Sequence, residues 1–289
     1  MQTQPKLAVI GGTGLQSMPG LENIQQLEVD TPFGKPSAPI TVGELSGVPV
    51  AFLSRHGLGH HLMPGEVPYR ANIYALKSLG VERIVSVSAC GSLREDYSPG
   101  DIVIPNQIFD LTRGRQNTFF GEGLVGHVGV ADPFCPDLSA QLFSASKICT
   151  PKIHKGGSLV TIEGPRFSTR GESNTYRAWG MSIIGMTASP EAFLAREAEI
   201  CYATMAHVTD YDVWHITEAP VSVDLVVEIL NRNLQLAQKI ILTLASDLAT
   251  QRDCECGSAL ENALITDPKA VPPETRSRLS LLVGKYLAQ

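Results

Sequence analysis

Apolar and polar positions alternate along the chain in two rhythms, and the rhythm switches repeatedly. "KLAVIGGTG" (6–14) is an apolar strand that runs into a glycine turn. "APITVGELSGVPVAFLSRHG" (38–57) reads as a hairpin, with two apolar strands around Ser46-Gly47 and the second ending at Arg55-His56. "PYRANIYALKSLG" (68–80) has helical spacing, with Ile73, Leu76 and Leu79 on one side and Gly80 as its C-terminal stop. "ERIVSVSACGSL" (82–93) and "GDIVIPNQIFDL" (100–111) each predict a strand, and residues 112–136 read as irregular. A helix follows over 137–149, a strand in "GGSLVTIEGPRF" (156–167), and a polar helix in "STRGESNTYRAWG" (168–180). "SIIGMTASPEAFLAREAEI" (182–200) gives a short strand, a turn and a helix starting near Pro190, a favoured first helical position. "ICYATMAHV" (200–208) is a buried strand. Val223, Val226, Leu230, Leu234, Ala237, Ile241, Leu244 and Leu248 mark a long amphipathic helix, with Ser222 as its N-cap and Asp224 in its first turn. A short helix near 258–265, a proline loop and a last helix carrying Leu279, Leu282, Val283 and Tyr286 complete the chain.

Strands alternating with helices predict an α/β fold, a central mixed or largely parallel β-sheet with helices on both faces. The pattern contains no internal repeat and no linker. The expected organisation is one domain over 1–250 with a C-terminal helical extension, 251–289, packed on it. In such sheets ligands gather at the carboxyl ends of strands. Gly11 to Gly14, Arg55-His56, Ser88 to Ser92, Phe167, Met186-Thr187 and Asp210/Asp212 all fall just after strands.

Composition narrows this picture. The 289 residues are 43% hydrophobic, enough for a large core. A net charge of −6 argues against a surface built to coat nucleic acid, and no apolar run approaches a membrane span or a signal peptide. The chain reads as cytoplasmic, binding neither nucleic acid nor membrane. Of six cysteines, Cys90, Cys135, Cys149 and Cys201 are scattered in apolar or loop contexts. Cys254 and Cys256 form the pair "CEC" in a polar turn. A strained disulfide within the pair or a redox-sensitive pair is the alternative to the favoured reading, reduced and non-catalytic; a zinc site needs two further ligands that no local spacing supplies.

The strand-end residues suit an anion. "IGGTG" offers turn amides and the Thr13 hydroxyl, a phosphate cradle. It does not match the dinucleotide fingerprint, because Ser17 stands at the third-glycine position. Arg55 brings a planar fork for phosphate oxygens and His56 stands beside it. His60 and His61 are either further loop polarity or metal ligands lacking a third partner. Ser88, the Ala89 amide and Thr187 at a helix N-terminus add donors. "VTDYDVWH" (208–215) then places Asp210 and Asp212 at the end of a buried strand, two apart and on one face if extended. A buried carboxylate is costly unless something pairs with it.

These stretches carry a resemblance. "GGTGL", "VDTPFGKPS", "RHG", "ANIYALKSLGV", "SACGSLREDYSPGDIVI", "ADPFCP", "TIEGPRFSTRGES" and "ICYATMAHVTDYDVWH" resemble the trimeric branch of the purine nucleoside phosphorylase family, and within it members acting on 5′-methylthioadenosine. The likeness runs from about residue 6 to 248 and stops before "CEC". It implies the single-domain nucleoside phosphorylase fold and phosphorolysis of 5′-methylthioadenosine to adenine and 5-methylthioribose 1-phosphate. It implies no cofactor or metal, phosphate as co-substrate, and a homotrimer with its active site at the subunit interface. Position by position, phosphate falls to Thr13, Arg55, His56, Ser88, Ala89 and Thr187, and the ribose to Met186. The purine falls to Phe167, Ser168, Asp210 and Asp212. The 5′-methylthio group falls to Val223, Val226 and a neighbouring subunit's His127. Gly185 departs from the pattern, since some adenine-specific relatives have a polar residue there. Asp210 is expected to protonate the leaving purine, with Asp212 in support. The alternatives are a phosphorylase of broad or 6-oxopurine specificity, or a nucleotide-binding module without turnover.

Overall fold

Strand β5 (Arg83–Ser92) is the spine of the molecule: small and apolar residues follow its arginine, eight of its ten positions are buried, and a strand buried on both faces belongs at the centre of a sheet. The structure is a computed structural model that describes residues 4–12, 14–217 and 221–287, without the side chains of Leu225 and Leu230. On one side β5 pairs in parallel with β1 (Leu7–Gly11), which pairs in parallel with β4 (Val48–Ser54). The hairpin partner β3 (Ile40–Leu45) and the edge strand β2 (Leu21–Leu27) continue the sheet antiparallel. The hairpin turn is the one the pattern demanded: Ser46 and Gly47 both take positive φ, 51° and 77°.

On the other side the sheet forks. β11 (Cys201–Asp210) lies parallel to β5 along its whole length. The far end of β5 also holds β10 (Ile183–Gly185), followed by β9 (Ser158–Thr161) and β7 (Gln107–Asp110). β6 (Ile102–Ile104) and β8 (Ile153–Lys155) extend the β11 branch. The single strand expected over 100–111 is therefore two, broken at Pro105, which cannot donate to a ladder. The short strand β8 and the edge strand β2 have no counterpart in the sequence reading.

Side chains alternate between two core layers. Ala8, Ile10, Ile84 and Tyr202 face one cluster, and Leu7, Val9, Val85 and Ala203 the other. The first layer is covered by α1 (Tyr69–Ser78) and α4 (Ala188–Glu197). The second is covered by α2 (Pro136–Cys149) and the long α5 (Val223–Ser246). The polar helix α3 (Arg170–Ala178) starts on a capping box of Thr169 and Glu172. Glu197 tethers the irregular 112–136 segment, accepting from the Thr118 hydroxyl and the Phe119 N–H, both at 2.7 Å.

The short helix expected near 258–265 is not an α-helix. Residues 259–263 are turns, Leu264 bridges to Gly126, and after a 3-10 turn at Pro268–Ala270 the α-helix resumes in α6 (Pro273–Arg278) and α7 (Ser280–Leu287). The C-terminal segment's apolar side chains Leu260, Leu279 and Val283 are fully buried in the same cluster as Ala8 and Ile84. Leu279→Ala should therefore lower unfolding stability by about 2–5 kcal/mol, as a core deletion does. Urea denaturation checks this, and a loss below about 0.5 kcal/mol, the surface range, would contradict it.

Candidate active site

Arg55 follows the last residue of β4 and is almost wholly buried. An isolated guanidinium there would be prohibitive, and Glu191 of α4 answers it in bidentate fashion. Arg55 Nε donates to Glu191 Oε2 and Nη2 to Oε1, both at 2.8 Å. Nη2 also donates to Ser86 Oγ (2.7 Å) and the Ile10 carbonyl, and Nη1 to the Val87 carbonyl. Tyr202 completes the knot by donating to Glu191 Oε1 at 2.8 Å. Burial disfavours the Arg55 charge, but the attraction and hydrogen bonds of Glu191 more than offset it, so its pKa rises. The fork expected to face phosphate thus faces Glu191 instead. One Nη1 hydrogen remains without a partner among the described residues.

His56 is half-buried, and its Nδ1–H donates to the Leu62 carbonyl at 2.8 Å, leaving Nε2 for a ligand. Burial, then the neighbouring Arg55 charge, lowers its pKa to about 4. An anion bound nearby opposes both effects and favours the protonated ring. Ser88 Oγ sits 3.5 Å from Ser86 Oγ, so it joins the Arg55 network through one hydroxyl. Sheet register places these ends together: Gly11 is opposite Ser54, and Ile10 opposite Ser86. Thr187 is buried at the N-cap of α4, where its hydroxyl makes no capping bond. Thr13 lies outside the described residues.

Asp210, Gly91 and Ile184 stand abreast on β11, β5 and β10. Gly91 is a requirement of this row. A Cβ there would lie 2.9 Å from Asp210 Oδ1 and 3.0 Å from Ile184 Cγ2. The Asp210 carboxyl is buried, and its oxygens accept from the Thr209 hydroxyl (2.6 Å) and the Asp212 N–H (2.7 Å). Burial prevails over those hydrogen bonds and pushes its pKa up to about 6. Asp212 does not share an extended face with it. The chain turns there, with Asp212 at φ 52°. Asp212 Oδ2, Ser168 Oγ and Ser173 Oγ are all buried without a partner at hydrogen-bonding geometry among the described residues. Burial raises the Asp212 pKa, and the two serine hydroxyls partly counter it. Asp212, Ser168 and Ser173 thus form a buried polar cluster beside Asp210.

The remaining residues distribute unevenly. Half-buried Phe167 lies beside buried Ser168 on the loop after β9, and half-buried Met186 lies just beyond β10, alongside the Asp210 row. Arg115 ties these loops, donating from Nη1 to the Met186 and Ser189 carbonyls (2.8 Å each) and from Nη2 to the Glu163 carbonyl (2.7 Å). The Val221 N–H donates to the Asp212 carbonyl at 3.0 Å, which brings the start of α5 to the 210–212 turn. Val226 is half-buried there, but Val223 is 66% exposed, so it does not line an enclosed wall within this chain. His127 is exposed, and its backbone N–H bonds to the Ala263 carbonyl rather than to a site residue. At Gly185 a Cβ would meet only ordinary contacts, the nearest 3.9 Å away, so the glycine is not sterically required. Sequence reasoning missed Glu191, Ser86 and Arg115. Glu191 had one signal: it is an acid set in the apolar run "PEAFLA".

Comparison with known proteins places this geometry. The chain is 52% identical to S-methyl-5′-thioadenosine phosphorylase of Geobacter sulfurreducens, over 97% of its own length and 99% of the relative's. It is 50% identical to the protein of the same name from Gloeobacter violaceus, over 99% and 97%. A crystal structure of methylthioadenosine phosphorylase from an antarctic soil metagenomic library superposes with a TM-score of 0.93 at 49% identity, covering 97% of this chain and 99% of that one. Methylthioadenosine phosphorylase from Schistosoma mansoni in complex with adenine gives 0.83 at 38% identity, covering 89% and 96%. The model of the Phosphorylase superfamily matches residues 6–246, and the chain belongs to that family.

Proposed function

We propose that this protein cleaves 5′-methylthioadenosine with inorganic phosphate. A phosphate oxygen bonds to the ribosyl C1′ as the bond from C1′ to the purine nitrogen breaks. The products are adenine and 5-methylthioribose 1-phosphate. The reading rests on relatives of that name at about half identity over nearly the whole chain, and on one structural observation. That observation is Asp210, a buried acid with a pKa near 6 at the end of β11, beside the buried Asp212.

The reaction poses two electrical problems. The sugar turns cation-like as the bond stretches, and the purine turns anion-like. A phosphate below the sugar is nucleophile and counter-charge together, and its positioning supplies most of the available catalysis. Arg55 through its remaining Nη1 hydrogen, His56, Ser88, the Ala89 amide, Thr187 and Thr13 are its proposed holders. Met186 packs against the ribose and Phe167 against the purine, with Ser168 at the purine edge. Asp210 gives its proton to the purine N7 and Asp212 holds the amino edge. A 6-oxopurine would present an oxygen to these carboxyls, which favours a 6-aminopurine. Val223, Val226 and a neighbouring subunit's His127 form the apolar seat for the methylthio group. The reaction needs no cofactor. Assembly into a cytoplasmic homotrimer with shared sites belongs to the same proposal. The outward position of Val223 and His127, which a neighbouring subunit would cover, supports it.

Two outcomes test the role of Asp210. Its pKa rises from 3.8 to about 6 on folding, so the folded state holds that proton more tightly. The resulting stabilisation is full below pH 3.8 and is lost as pH rises through about 6, a change on the order of 3 kcal/mol. Asp210→Asn should therefore gain stability relative to the parent between about pH 4 and about pH 7. A stability difference that stays constant over that range in urea titrations would contradict the assignment. In steady-state assays with phosphate, the same variant should lower kcat/KM for 5′-methylthioadenosine by roughly a hundredfold or more. Its preference should shift toward 5′-methylthioinosine. An unchanged ratio of the two efficiencies, or adenine release without phosphate, would overturn the proposal.

A further inference from the structure

Four of the six cysteines converge, far from the phosphorolysis site. Cys135 is the N-cap of α2, Cys201 is the first residue of β11, and Cys254 and Cys256 flank Glu255 in the "CEC" turn. Their sulfurs all lie within 4.8 Å of one another, and Cys201 Sγ is 3.3 Å from Cys254 Sγ. Three of the four are buried and Cys254 is half-buried. The two further ligands that no local spacing could supply thus arrive by folding, from 66 residues (135 to 201) and 53 residues (201 to 254) apart.

Scattered buried thiols are ordinary small apolar groups. Four meeting at one point are not, and their surroundings differ from a plain core. The Leu138 N–H donates to Cys135 Sγ at 3.4 Å, at the N-terminus of α2 where the helix dipole favours negative charge. Arg196 Nη1 donates to Cys256 Sγ at 3.5 Å, and its Nη2 is braced on the Asp132 carbonyl at 2.6 Å. Hydrogen bonds from N–H groups and a fixed cation are what thiolate sulfurs require around a metal. The "CEC" segment is itself held down. Arg83 donates to the carbonyls of Ala249 and Gln251, and Arg252 to that of Glu199. A cleft of about 280 Å³, lined by Cys135, Cys201, Cys254, Arg83 and Arg252 among others, opens beside the sulfurs and gives an ion a way in.

We propose that Cys135, Cys201, Cys254 and Cys256 form a tetrathiolate site for one structural zinc ion per chain. Tetrahedral zinc with bonds of about 2.3 Å sets its sulfurs about 3.8 Å apart, inside the span these four already occupy. Four soft thiolates select zinc over hard cations, and a closed set of four leaves no position for a reacting water. Binding releases the thiol protons to solvent. The ion's effect is mechanical. It staples the 251–258 segment to the starts of α2 and β11, and so anchors the tail that carries Leu260, Leu279 and Val283 into the core. Asp210 ends the strand that Cys201 begins, roughly 30 Å away at about 3.3 Å per residue, so the ion takes no part at the base.

The test uses untagged, full-length protein purified under reducing conditions without added metal or chelator. Elemental analysis should find one zinc per chain. After denaturation in chelator all six cysteines should titrate as free thiols. Cobalt exchange should give the intense visible bands of a tetrahedral tetrathiolate. The double variant Cys254→Ser/Cys256→Ser should hold less than about a tenth of the parent's zinc and melt at lower temperature, with kcat/KM within about twofold. Two free thiols in place of six, meaning two disulfides, would overturn the proposal. So would six thiols with no zinc and no uptake of added zinc, or iron in its place. The parent protein alone decides these outcomes, even if the variant fails to fold.

Discussion

The ion pair of Arg55 with Glu191 is the contact on which the rest of the site depends. Each charge alone would cost several kcal/mol to bury, and only matched geometry with further hydrogen bonds offsets that cost. The match recruits five elements. Arg55 comes from the end of β4 and Glu191 from α4, with Ile10 of β1, Ser86 and Val87 of β5 and Tyr202 of β11 around them. Glu191 stands in the first turn of α4, whose N-cap is Thr187. The same arginine that secures the scaffold retains one Nη1 hydrogen without a partner among the described residues.

The base end of the site obeys a complementary constraint. Asp210 must be buried deeply enough to keep a proton near neutral pH, yet it must not lose its place in the sheet. Gly91 provides the space, because any side chain there would strike the Asp210 carboxyl or Ile184. Ser88 and Gly91 lie on one strand about 10 Å apart, a length a nucleoside can bridge. Thus β5 sets the distance between Ser88 and the Asp210 row. The buried Asp212 carboxyl and the hydroxyls of Ser168 and Ser173 cluster beside that acid.

Much of this was legible in the residues, and what was not has physical reasons. Buried strands such as "ICYATMAHV" and the Ser46-Gly47 hairpin declare themselves, because continuous apolar runs and paired positive-φ turns have few other uses. Strand-end placement is also readable: Arg55 follows the end of β4 and Asp210 ends β11. The edge strand "LENIQQL" was invisible because almost all of it faces water, so its pairing with β3 leaves no apolar pattern. The turn at Asp212 was misjudged, since alternation assumes an extended chain and a left-handed residue breaks it. Partners joined by tertiary folding were beyond local reading. Glu191 lies 136 residues from Arg55, and the four cysteines come from three separate segments.

The Glu191→Gln variant tests the central claim most directly, because it keeps the shape of the side chain and removes only the charge. Unfolding stability and the phosphate KM are measured together on the one protein. If the pair organises both scaffold and anion site, stability falls by about 3–5 kcal/mol and the phosphate KM rises at least about tenfold. Stability within about 1 kcal/mol of the parent, together with an unchanged phosphate KM, would contradict the account.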